Sequence, residues 1–452
     1  MTGFGLAGGS VSVVERPLGR GELAVLVEEL AQMGGHLVAR GRGRAYGDAA
    51  QCAAGVVIDC TGLDRIIAFD AEAGLLRAEA GVSLEQILSV IVPRGWFLPV
   101  TPGTRHVSLG GAIAADVHGK NHHRDGSLGS FVEEIILLGP DGERSLSPTH
   151  TAEQFWATVG GMGLTGVIVE ARLRLQRIAT ALLQIRTERA RDLDACLAML
   201  AEDRRSSRYS VAWLDGHAGG RRLGRGVVSE GDHADVDDLP VPRRPHALEY
   251  SPRRQLSVPL RPPMRIVRRG LVAAFNALTY ARAPRRARCE LSGIDPFFYP
   301  LDVIGEWNRL YGPRGFTQYQ FVVPLGADEV IRQALELLQE AKQPPSLVVL
   351  KRFGPQGCAP LSFPIEGWTL ALDLPLGLPG LAVALDRLDE LVLATGGRVY
   401  FAKDGRLRRS AAAAMYPGLS RWRQARDELD PRRLFVSDLS RRLGLVEEEV
   451  SS

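Results

Sequence analysis

Apolar residues recur at three and four positions through ELAVLVEELAQM (22–33), then give way to the short apolar run HLVAR (36–40), which predicts a helix followed by a strand. GVVIDC (55–60) reads as a second strand and IIAFDAEAGLLRAEAG (66–81) as a hairpin. Ser83 and Gln86 stand as a capping box before the amphipathic run LEQILSVIVPRG. FVEEIILLGPDGERSLSP (131–148) is strand, Pro-Asp-Gly turn and returning strand, AEQFWATVGG (152–161) is helical, and GVIVEARLRL (166–175) alternates with period two. From about residue 179 the pattern restarts. LDACLAMLAE reads as a helix and YSVAWLD as a strand; after a weakly patterned segment at 231–290, FTQYQFVVP, SLVVLKRFG and GWTLALDLP read as strands. ADEVIRQALELLQEA and LAVALDRLDELVLATGG are helices. Strand, helix and strand in that alternation predict a sheet with helices packed on one face, an α+β chain. The tail from Ser437 ends in a helix expected to fray.

Length raises the expectation of more than one core, because 452 residues exceed what a single core ordinarily spans. Fifty glycines suggest many close backbone approaches. The net charge of +3 excludes a molecule that is basic as a whole. The basic character is local: between Arg243 and Arg288 there are twelve arginines and one acid, Glu249, among several prolines, which predicts a basic, loop-like surface. Five scattered cysteines without CxxC spacing argue against a disulfide framework or a zinc site and fit a reducing compartment. Neither a signal peptide nor eighteen consecutive apolar residues is seen, so a cytoplasmic protein, or one peripheral at the inner membrane surface, is expected.

Three stretches carry candidate chemistry. GMGLTG (161–166) matches G-x-G-x-x-G, but a helix precedes it and a strand follows, the reverse of what a dinucleotide fold requires. RGRGRAYGD (40–48) is better placed: it leaves a strand, and its glycines let consecutive N–H groups converge on phosphate oxygens. AADVHGKNHHRDGS (114–127) holds His118, His122 and His123, yet the adjacent pair at 122 and 123 points apart in any regular backbone, so no metal is expected.

RGRGRAYGD, VIDCTGLDRI, AGVSLEQI, PGTRHVSLGGAIAADVHGKNHHRDGSLGSFV and FWATVGGMGLTGVI follow one another in an order and spacing that resembles the vanillyl-alcohol-oxidase type of FAD-binding domain. In the second half, LGRGVVS, FFYPLDVIGEWNRLYGPRGFTQYQFVVP, KRFGPQGCAPLSFPIEGWTLALDLP, GGRVYFAKDGRL and LDPRRLFVSDLSRRL resemble the decaprenylphosphoryl-β-D-ribose oxidase family, flavin subunits of an epimerase that supplies arabinose for cell-wall polymers.

The resemblance implies a two-part FAD-binding domain, residues 1–178 and 398–452, with a substrate domain inserted at 179–397. Arg40, Gly41, Arg42, Gly43, Arg44, Ala45, Tyr46 and Gly47 would face the FAD pyrophosphate. Pro102, Gly103, Thr104, Gly110, Gly111, Ala114, His118, Gly119 and Asn121 would run along the ribityl and ring portion, Gly166 and Ile168 would close the adenine end, and Tyr400 would join them. Many relatives bond the flavin to a histidine where this chain has Tyr46, so the FAD is expected to be non-covalent, with Tyr46 against its ring. The implied reaction oxidises the ribose 2′-hydroxyl of a polyprenyl-phosphate sugar. Lys403 would stabilise the developing alkoxide or act as base, and His118 would bond flavin or sugar.

Gln318 and Gln320 share one face of FTQYQF and would grip sugar hydroxyls; Lys351 would meet the phosphate, and Trp213 would form pocket wall. Thr369 and Ala371 stand where well-known relatives carry asparagine and cysteine, which bears on sugar fit and removes the target of thiol-directed inhibitors. The expected partners are a separate NAD(P)H-dependent keto-reductase and an anionic membrane surface met by the arginine-rich segment, not nucleic acid. The rival expectations are an oxidase of a soluble alditol or aldonolactone using oxygen, and a membrane-surface adaptor keeping the fold without catalysis.

Overall fold

The computed structural model describes residues 1–201, 207–252 and 255–446. Its N-terminal part forms two sheets. Val13–Glu15, Val56–Asp59 and Leu37–Arg40 pair in parallel with the Val56–Asp59 strand central, and a five-stranded antiparallel sheet runs in the order Ile66–Asp70, Leu75–Glu79, Val167–Arg174, Val132–Gly139, Gly142–Leu146. Leu23, Val27 and Leu30 of the first helix share a core with Leu37, Ile58, Val167 and Val169. Leu434 and Phe435 complete that core, and the Leu37 N–H donates to the Leu434 carbonyl at 2.9 Å. The C-terminal segment is thus stitched back onto the N-terminal sheet. The predicted capping box is present, with Ser83 and Gln86 bonded reciprocally.

Between these two ends the chain builds one eight-stranded antiparallel sheet. Its strands are β1 (Leu182–Ala190), β2 (Tyr209–Leu214), β3 (Gly226–His233), β4 (Arg288–Gly293), β5 (Phe316–Pro324), β6 (Leu347–Phe353), β7 (Gly367–Pro375) and β8 (Arg398–Val399), in the order β4-β1-β3-β2-β6-β7-β5-β8. Helices α1 (Leu193–Ala201), α3 (Glu329–Glu340) and α4 (Leu381–Ala394) cover one face; α2 (Arg269–Arg282) lies elsewhere, as described below. Alternation assigns the faces. Ala212, Leu214, Val228, Val348 and Leu350 are buried in one core with residues of α1, α3 and α4, while their neighbours at 211, 213, 227, 347 and 349 stay half-buried on the opposite side.

The arginine-rich segment departs from the expected loop. It contains α2, a 14-residue helix, and β4 at the edge of the sheet. Only Asn276 of α2 is buried, and Leu271, Phe275 and Leu278 are exposed, so no stripe of buried apolar residues marks the helix and a core-seeking pattern does not reveal it.

Candidate active site

One cavity of about 1010 Å³ opens between the N-terminal part and the uncovered sheet face. Residues 40–47, 102–104, 110, 111, 114, 118, 119, 166, 168 and 400 line it, as do Trp213, Gln318, Gln320, Lys351, Ala371 and Lys403. Two expected residues do not. Asn121 is buried behind the wall, where its amide donates to the Pro99 carbonyl at 2.8 Å and to Asp125 at 2.6 Å. It braces the loop and does not reach the ligand space. Thr369 is fully buried; its hydroxyl donates to the Phe321 carbonyl at 2.8 Å and accepts from Gln320 Nε2 at 2.9 Å, so it orients Gln320 from behind.

The 40–47 loop is shaped by its own residues. Gly43 sits at φ +62°, a region that L side chains seldom enter, and the Arg40 guanidinium donates to the carbonyls of Ala50 and Thr2 at 3.0 and 2.9 Å. Arg40 therefore holds the loop shut, and Arg42 leans on Gln86 at 3.1 Å. At Gly47 a Cβ would stand 1.9 Å from the Asp404 carbonyl oxygen. That contact and the Tyr46 N–H bond to the Ala402 carbonyl, at 3.0 Å, join the glycine loop to the turn that carries Lys403.

The Lys403 side chain lies in that junction, 5.8 Å from the centre of the Tyr46 ring. Asp404 is not its partner: one oxygen of Asp404 accepts from Arg406 and Leu407 N–H groups and the other from Arg442. The carboxylate that acts on Lys403 is Asp373 of β7, 1% exposed and bonded to the Gln318 amide, with its Oδ2 lacking a hydrogen-bond partner among the described residues. Burial pulls the Lys403 pKa below its usual value and the Asp373 charge opposes that pull. Burial pushes Asp373 up, against its bond from Gln318 and the charge of Lys403.

His118 faces this corner from the loop side. Gln320 Nε2 stands 3.0 Å from His118 Nε2, so with the amide donating the imidazole proton resides on Nδ1, an atom with no partner among the described residues. Burial, and then Lys351 and Lys403, hold its pKa well below the ordinary histidine range, and the ring is neutral. Gln318 Oε1 and Gln320 Oε1 are likewise buried and unpartnered among the described residues. His122 accepts from the Gly354 N–H at 3.2 Å and packs on Phe353, turned away from His118's task.

Lys351 lines the next part of the cavity, its Nζ 3.5 Å from the Gly119 carbonyl, and burial lowers it to about 7, with repulsion from Lys403 and Lys120 adding to the effect. Lys120, also lowered to about 7 by burial, rests 4.0 Å over the Phe297 ring and donates to the Phe297 carbonyl. Sequence reasoning missed Asp373 and Lys120. Period-two alternation along GWTLALDLP puts Asp373 on the same face as Thr369 and Ala371, the two positions already singled out, and Lys120 stands next to His118 and Gly119 in the loop already singled out.

A family model described as "FAD binding domain" matches residues 11–147. The decaprenylphosphoryl-β-D-ribose oxidase of Mycolicibacterium smegmatis is 40% identical over 424 residues, which covers 93% of this chain and 92% of the relative. The chain belongs to the decaprenylphosphoryl-β-D-ribose oxidase family.

An uncharacterised protein of Streptomyces coelicolor is 39% identical over 80% of this chain and all of the relative, whereas an L-gulono-1,4-lactone dehydrogenase of Mycobacterium tuberculosis matches only 36% of the chain, at 30% identity. As a decaprenylphosphoryl-ribose oxidase relative the chain is an FAD-dependent oxidoreductase of the α+β class that the alternation predicts. The site fits FAD on its own geometry. One cavity is lined both by the backbone of the glycine loop and by unpartnered buried donors and acceptors, as a cofactor with a phosphate tail and a hydrogen-bonding ring requires.

Proposed function

We propose that this chain oxidises the 2′-hydroxyl of a polyprenylphosphoryl-β-D-ribofuranose to the ketone. The observation that carries the reading is the meeting, in one cavity with the FAD-binding loops, of Lys403, His118 and two glutamine amides with the buried ammonium groups of Lys351 and Lys120. Bound FAD supplies a hydride acceptor. Gln318 and Gln320 offer their unpartnered oxygens to sugar hydroxyls, and Lys403 sits where a charged ammonium stabilises the sugar oxygen as its proton passes to water. Tyr46 packs beside the ring site without a bond to it, so acid precipitation is expected to release all of the flavin into the supernatant; colour retained in the pellet would show a covalent link.

Lys351 and Lys120 take the phosphate as point charges. Both lie near 7 before ligand arrives, so each is charged below that pH and loses its proton above it. Affinity for a prenyl phosphate is therefore expected to weaken as pH rises through about 7 to 8, measured by calorimetry at constant ionic strength; a flat profile would remove the two lysines from the phosphate site.

No helix among the described residues is long and apolar enough to cross a membrane. The lipid-linked substrate instead meets the chain at the basic face. Leu260, Met264, Leu271 and Phe275 are exposed there among Arg265, Arg268 and Arg269, a combination that lets side chains enter the headgroup region while each guanidinium contributes about 1 kcal/mol near an anionic surface. Co-sedimentation with vesicles containing phosphatidylglycerol, lost in Leu271→Asp/Phe275→Asp and absent with phosphatidylcholine alone, is the expected outcome. The ketone leaves to a separate NAD(P)H-dependent reductase. The chain's own GMGLTG follows the Ala152–Thr158 helix and precedes the Val167–Arg174 strand, so it is no nicotinamide site.

The reading is tested by supplying polyprenylphosphoryl ribose with an artificial electron acceptor and looking for the 2′-keto product by mass spectrometry. Consumption of a free alditol or aldonolactone with peroxide release, the lipid sugar remaining intact, would favour the soluble-substrate alternative.

A further inference from the structure

The cavity extends well past Lys351, over strands that no part of the sugar chemistry uses. Pairing in the sheet sets its floor in a fixed sequence. Gln320 stands opposite Ala371, Ala371 opposite Val349, Val349 opposite Trp213 and Trp213 opposite Val227. One residue pair further along the strands, Val211 faces Ser229, Ser229 faces Thr187, and Thr187 faces Arg288. All of these line the same cavity.

The floor thus changes character in one direction across the sheet: amides on β5, an ammonium on β6, apolar side chains on β6, β2 and β3, then a hydroxyl and a guanidinium at the rim. The apolar residues are half-buried on a face that α1, α3 and α4 do not cover, unlike their fully buried neighbours in alternate positions. Uncovered valine and tryptophan surface costs about 25 cal/mol per Å², a cost that an apolar ligand removes. On the far side, Phe275 and Thr279 of α2 look into the cavity, and Phe275 is at once 63% exposed to the outside. The helix therefore forms a lip between the cavity and the surface.

We propose that this floor seats the isoprenoid chain of the substrate, with Lys351 and Lys120 holding the phosphate at its inner end and α2 framing the exit toward the membrane. The inference rests on the reading of the substrate as a prenylphosphoryl sugar and names the place of its tail. Sugar, phosphate and hydrocarbon occur in the ligand in the order in which amide, ammonium and apolar residues occur across β5, β6, β2 and β3. From β6 to β4 is four strand steps, β6-β2-β3-β1-β4, which at about 4.8 Å each gives a lane of about 19 Å.

Calorimetric titration of the flavin-loaded protein with farnesyl phosphate and with inorganic phosphate tests the lane without any sugar oxidation. Farnesyl phosphate is expected to bind at least about tenfold tighter than inorganic phosphate. Val227→Trp, which fills the lane, should abolish that difference and leave inorganic phosphate unchanged. Thr187→Val, nearly equal in shape and more apolar, should widen it, and this variant carries the test if the bulkier one fails to retain flavin. Equal binding of the two ligands by the unaltered protein, or a difference that neither substitution alters, overturns the lane. Ribose oxidation without a farnesyl advantage would keep the catalytic reading and refute this inference; a farnesyl advantage that Val227→Trp removes, without ribose oxidation, would do the reverse.

Discussion

Lys403→Met is expected to retain FAD and to slow flavin reduction by prenylphosphoryl ribose about 10²–10³-fold, the usual cost of removing one preorganised group that stabilises developing negative charge. Flavin retention follows from the position of Lys403, because the loops that cradle the cofactor are held by backbone bonds such as Tyr46 N–H to the Ala402 carbonyl and by the Arg40 brace, none of which uses the lysine side chain. The loss in rate follows from burial: in a water-poor corner an ammonium acts on an alkoxide far more strongly than in solvent, and methionine restores the volume without the charge. Rapid-mixing measurement of flavin bleaching checks it. Reduction at an unchanged rate would exclude Lys403 from the reaction.

The second large effect is expected at Asp373. Its charge raises the proton affinity of Lys403 against the lowering caused by burial, so Asp373→Asn removes the support and lets Lys403 lose its proton at lower pH. With the charged ammonium as the proposed working form, the rate is expected to be highest below the Lys403 pKa, and the alkaline fall in reduction rate should move toward lower pH in the variant, while rates at the acid end converge with those of the unaltered protein. Lys351, His118, Tyr46 and Tyr311 also face this corner and are present in both proteins, so the difference between the two profiles reports on Asp373. Asp373→Glu should restore much of the profile. A uniform loss at every pH would mean that Asp373 matters only for packing beside Gln318.

Much of this architecture is written in local pattern. The alternation in FTQYQFVVP places Gln318 and Gln320 toward the cavity and turns Tyr319 to Asp389 under α4, a bond of 2.9 Å. The capping box at Ser83 and the order of helix, GMGLTG and strand are equally local and are found as expected. What escaped depends on distant chain. Helix α2 buries only Asn276, so burial periodicity gives no sign of it. Asp373 acquires its role only when a turn some thirty residues later brings Lys403 to the same corner. Asn121 and Thr369 stand in stretches that do border the cavity, yet each side chain is taken by a neighbour: Pro99 and Asp125 for one, Phe321 and Gln320 for the other.

The central claim is that this chain's flavin removes hydride from the ribose of a lipid-linked sugar. Anaerobic mixing of the flavin-loaded protein with prenylphosphoryl ribose, unlabelled and deuterated at C2′, tests it most directly. The yellow absorbance is expected to bleach in a single turnover and to do so several-fold more slowly with the deuterated sugar. Persistent yellow colour with this sugar, alongside bleaching by a free alditol or aldonolactone, would contradict it.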